Sequence, residues 1–69
     1  MITELWAIIV VAGDGEDEGI AQYPMSDKVM IALDMEQRDR LVADAKSCAS
    51  VWQRSLRLAR FEIKDKEAL

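Results

Sequence analysis

The chain has 69 residues, 51% of them hydrophobic and 32% charged, with a net charge of −4, one cysteine and no histidine. That length holds one small globular domain, 1–69, and the composition excludes a disordered chain. A lone Cys48 excludes an intrachain disulfide, and the missing histidine removes the commonest zinc ligand and general base.

The average charge hides a split. Residues 1–36 carry eight acidic side chains against Lys28 alone, and residues 37–69 carry five against eight basic ones. This split, on a chain that is acidic overall, argues against a general nucleic-acid binder, which would be basic overall. The unpaired cysteine and the absence of a basic leader point to the cytoplasm. The longest apolar run, Leu5 to Ala12, is far too short to span a bilayer.

Leu5-Trp6-Ala7-Ile8-Ile9-Val10-Val11-Ala12 is rich in β-branched residues and predicts a strand that is apolar on both faces. Gly13-Asp14-Gly15-Glu16-Asp17-Glu18-Gly19 then reads as an acidic hairpin loop. Ile20 to Tyr23 is a weaker second strand, ended or pushed to a sheet edge by Pro24, which has no N–H to donate. Met25 to Leu33 is too apolar for a free loop and is expected to cross the core as irregular structure or a short strand. Asp34 reads as a helix N-cap, with Gln37 completing a capping box and Glu36 favouring the positive helix start.

Beyond Asp34 the period changes. Leu41, Val42, Ala45, Cys48, Ala49 and Trp52 form an apolar helical stripe opposite Arg40, Asp44, Lys46, Ser47 and Ser50. No glycine or proline stops the helix. Val42, Ala45, Ala49, Trp52, Leu56, Ala59 and Ile63 continue a heptad series, so one reading is a hairpin followed by one long helix to about Lys66. The other ends the helix near Gln53 and makes Ser55–Ile63 a third strand, with Leu56 and Leu58 alternating with Arg57. Periodicity alone leans to the helix.

Four segments bear on that choice: the opening strand Leu5–Val11, the acidic loop Asp14–Gly19, the methionine-containing connector Met30–Glu36 into an acid-capped helix, and the tail Leu56–Phe61. In these the chain resembles small, largely uncharacterised β-β-α-β proteins encoded in phage genomes, especially phages of actinobacteria. Where such proteins carry a Gly-Lys turn before the last strand, this chain has Gln53-Arg54. The resemblance implies an α+β fold, a three-stranded β-β-α-β sheet in the order 2-1-3 with one helix on one face. The most apolar strand is then central, and the last runs parallel to the second.

Three surfaces are candidates for function. One helix covers one sheet face, so either Leu5, Ala7, Ile9 and Val11 or Trp6, Ile8, Val10 and Ala12 must face away from it. Trp6, Ile8, Val10 and Tyr23 are expected to form a partner or dimer interface on the uncovered face. Arg54, Arg57 and Arg60 could bind an anion, since guanidinium forks match phosphate and carboxylate, although a strand would put Arg57 and Arg60 on opposite faces. Asp14, Glu16, Asp17 and Glu18 could dock on a basic surface, or be a solvated turn; their spacing does not match a calcium loop. No catalytic, metal or cofactor site is expected: no phosphate loop or metal-ligand spacing occurs, and no histidine is present to activate Cys48. The sequence-based expectation is a non-enzymatic accessory or inhibitor, phage-encoded and acting on a host or defence protein, and a homodimer or higher oligomer. The alternatives are an oligomer that sequesters an anionic nucleotide and a self-assembling structural component.

Overall fold

The computed structural model describes residues 1–12 and 17–69. Its elements are β1 (Glu4–Ala12), β2 (Asp17–Ile20), β3 (Ile31–Ala32), α1 (Met35–Trp52) and β4 (Leu56–Glu62). The β-β-α-β arrangement is present, with β1 in the centre, β2 on one side and β4 on the other, both antiparallel to β1. β4 therefore runs parallel to β2. The connector adds the two-residue strand β3, also antiparallel to β1.

The side of β1 opposite β4 is shared. β2 pairs with its C-terminal half, from Ile9↔Ile20 to Ala12↔Asp17, and β3 with its N-terminal half, at Trp6↔Ala32 and Ala7↔Ile31. The handover falls on Ile8. Its N–H donates to the Met30 carbonyl at 3.0 Å, and its carbonyl accepts from the Ala21 N–H at 2.8 Å. Between the two strands the chain makes an excursion, closed where the Tyr23 N–H donates to the Lys28 carbonyl at 2.9 Å. The second strand thus lies earlier than Ile20–Tyr23: pairing with β1 already begins within the acidic segment, and Ala21, still bonded to Ile8, also accepts from the Met30 N–H at 2.8 Å. Pro24 sits in the turn of the excursion, where its missing N–H costs nothing, and is followed by Met25 at φ 57°.

Helix α1 begins as its sequence predicts. The Asp34 carboxylate accepts from the Gln37 N–H at 2.8 Å, and the Gln37 side chain reaches back to the Leu33 N–H at 3.0 Å. That is one residue beyond the usual capping-box donor, and it ties the connector to the helix start. Leu41 and Ala45 are buried on the expected stripe, with Val42, Cys48, Ala49 and Trp52 half-buried. No helix among the described residues is long and apolar enough to cross a membrane.

The long-helix reading is overturned at Gln53. This residue adopts the left-handed conformation, φ 54° and ψ 41°, while its N–H bonds to the Ala49 carbonyl. That is a helix C-terminal cap of the kind glycine usually fills. The continuation of the heptad series is coincidental: Leu56 and Ala59 lie on opposite faces of β4, and Ile63 follows the strand. A non-glycine residue in this conformation costs about 1 kcal/mol. Gln53→Gly is therefore expected to raise the melting temperature by about 4–8 °C, measured by circular dichroism; an unchanged or lower value would contradict the strain.

The core lies between helix and sheet and is small: Trp6, Ile8, Ala21, Met30, Ala32, Leu41 and Ala45, with Val10, Tyr23, Cys48, Trp52 and Leu56 packed around it. Three of the seven central residues are alanines, so the volume is supplied mainly by Trp6, Ile8, Met30 and Leu41.

Candidate functional site

The register decides which side chains share a face, because successive residues of a strand point to opposite sides. Trp6, Ile8 and Val10 lie on the helix side, opposite Arg60, Leu58 and Leu56 of β4. The expected interface of Trp6, Ile8, Val10 and Tyr23 is corrected here: Trp6 and Ile8 are 5% and 2% exposed, and all four belong to the packing under the helix. The physical reason is the connector. Met30 and Ala32 must bury on the helix side, and pairing Ala32 with Trp6 carries the Trp6 side of β1 inward with them. The Arg38 guanidinium then lies 5.6 Å from the centre of the Trp6 ring, close enough for a cation–π attraction. Tyr23 is held by its hydroxyl, which donates to Asp44 at 2.9 Å. Partial burial, then the Asp44 hydrogen bond and charge, push its pKa above the usual tyrosine value.

The uncovered face carries the other set, Leu5, Ala7, Ile9 and Val11. The same pairing puts Phe61, Ala59 and Arg57 beside them on β4, and Ile31, Ile20 and Glu18 beside them on β3 and β2. Phe61 is 46% exposed and Ile20 44%. Ala7 is fully covered yet stands apart from the core cluster, flanked by Ile31 and Ala59 on the open side. The result is an apolar surface with a shallow centre at Ala7 and Ala59 and larger side chains around it. Water contact with such a surface costs about 25 cal/mol per Å², and contiguous exposed apolar patches mark interaction sites.

On the last strand Leu56 packs against the core, Leu58 on the same side stays 45% exposed, and Phe61 shares the opposite side with Arg57, so the strand's own pattern does not mark the buried side.

The three arginines are not brought together. Arg57 is on the open face, Arg54 is in the turn after α1, and Arg60 is on the helix side. Arg60 is occupied: its Nε donates to Glu4 at 2.6 Å and its Nη1 to Glu62 at 3.1 Å. The Glu4 hydrogen bond, with the charges of both carboxylates, strengthens the hold of Arg60 on its proton. In the acidic group, Asp14 and Glu16 lie outside the described residues, as does the Asp17 side chain; Glu18 is exposed on β2.

A cleft of about 160 Å³ between α1 and β4 is lined by Ile8, Val42, Ala45, Ala49, Leu56 and Leu58 among others, below the ~300 Å³ at which small-molecule sites begin. A wider, open depression of about 350 Å³ lies beside Tyr23, Gln37, Arg40 and Asp44, where Tyr23 and Asp44 already bond each other. Among the described residues no three His, Cys, Asp or Glu side chains gather as a metal site would require. No protein family, curated protein or solved structure matches the chain.

Proposed function

We propose that this chain is a non-catalytic protein-binding domain that works through the open sheet face. The supporting observation is the apolar surface of Leu5, Ile9, Val11, Ile20, Ile31 and Phe61 on a domain whose own core holds only four large side chains. A binding partner supplies the buried area that a chain of this size lacks. The phage-type pattern of the sequence makes a bacterial host or defence protein the first partner class to test. Sequestration of an anionic nucleotide has less support, because its three arginines are dispersed.

The test compares Phe61→Lys, the most exposed large side chain of the open face, with Ser47→Lys, on the exposed side of α1. Affinity purification from the source cells is expected to lose its specific proteins with Phe61→Lys and keep them with Ser47→Lys. Equal recovery by both variants, each shown folded by circular dichroism, overturns the proposal.

A further inference from the structure

The open face carries two opposite charges at its two edges. Glu18 stands on β2 opposite Val11, and Arg57 stands on β4 opposite Ile9. β1 separates them, so within one molecule they are two strand spacings apart, roughly 10 Å, and one row out of step. Everything between them is apolar. Such a face is self-complementary for one particular symmetry. A two-fold axis parallel to β1 lays the β2 side of one copy over the β4 side of the other. It therefore sets Arg57 of each copy against Ile20 and Glu18 of its partner, twice. A two-fold axis across the strands lays β2 over β2 instead and keeps Arg57 away from Glu18.

We propose that a second copy of this chain covers the open face, its β1 aligned parallel to the first, with Arg57 of each copy bonded to Glu18 of the other. This rests on the open face being the binding surface. Ala59, half-buried beside the fully covered Ala7, is the low ground between the larger side chains, against which side chains of the facing sheet fit. Aligned packing at about 30° is a normal arrangement for two sheets. The face is roughly 14 Å by 30 Å, so two copies cover about 800 Å² in projection and more in accessible area, since side chains stand out of the plane. That is the low end of specific interfaces, the size of weak, transient association. The charged pairs lie at the rim, where they set register and orientation rather than affinity.

The experiment is sedimentation equilibrium of the whole chain from about 1 to 500 µM at low and high salt, on the wild type, Arg57→Glu, Glu18→Arg, the double exchange and Phe61→Lys. These positions are exposed and leave the core untouched, and circular dichroism confirms folding. The expected result is a dimer that each single exchange weakens about tenfold and the double exchange restores, with Phe61→Lys monomeric. A monomeric wild type overturns the proposal but leaves the binding face standing if the purification still distinguishes Phe61→Lys from Ser47→Lys. A dimer not restored by the double exchange overturns the alignment. A dimer indifferent to Phe61→Lys uses another surface and overturns this proposal, while the binding face is still decided by the purification.

Discussion

Trp6→Ala is expected to melt far below the wild type. The ring is 5% exposed and sits at the centre of the core under α1. Truncating a buried tryptophan costs about 3–5 kcal/mol, from lost transfer energy and the cavity left behind. For a domain of this size each kcal/mol shifts the melting temperature by about 4–8 °C, so a fall of more than about 12 °C is predicted. Such a loss is a large part of the ~5–15 kcal/mol that stabilises most domains. Phe61→Ala is the contrasting variant. It removes a ring that is 46% exposed on the other face, and its cost at micromolar concentrations should stay near 1 kcal/mol. Thermal melts of the two decide which face of β1 is core. Near-equal losses would mean that the faces are assigned the wrong way round.

Met30→Ala is expected to cost about 2–4 kcal/mol, with Met30→Leu losing less than about 1.5 kcal/mol. Met30 is 0% exposed. Its backbone joins Ile8 and Ala21 at the point where β2 gives way to β3. Its side chain belongs to the same cluster as Ala21, Ala32 and Ala45, short residues beside which a long, flexible thioether fills space that no other side chain supplies. Chemical denaturation of the three proteins tests this. A Met30→Ala variant as stable as wild type would show that the core can close over the gap.

The elements that sequence reasoning located best are those whose signals are local. The β-branched run of β1 and the Asp34–Gln37 cap need only their neighbours to be recognised. The end of α1 was less legible because Gln53 occupies a left-handed position without being glycine, and the tertiary structure carries that strain. β2 was misplaced because its pairing draws on Asp17 and Glu18, residues that composition assigns to a loop. The open face was foreseen as a surface, but with the wrong occupants. Both sides of β1 are equally apolar, so nothing within that strand distinguishes them. Only its pairing with Ala32 and Leu56, partners far along the chain, fixes which side is buried.

The placement of β4 has a consequence for the fate of this protein at high concentration. Among the described residues β4 pairs only with β1, so its outer backbone groups form the longest edge without a neighbouring strand. An edge of that kind is a template for end-to-end growth into fibrils. Here it carries Arg57 on one side and Arg60 and Glu62 on the other, so an approaching strand must desolvate charge whichever side it favours. On the far side of β1, the handover at Ile8 divides the outer margin into two short strands, neither long enough to seed a ladder. The arginines therefore have a use even where they meet no ligand: they keep a small, apolar sheet from polymerising along its edge.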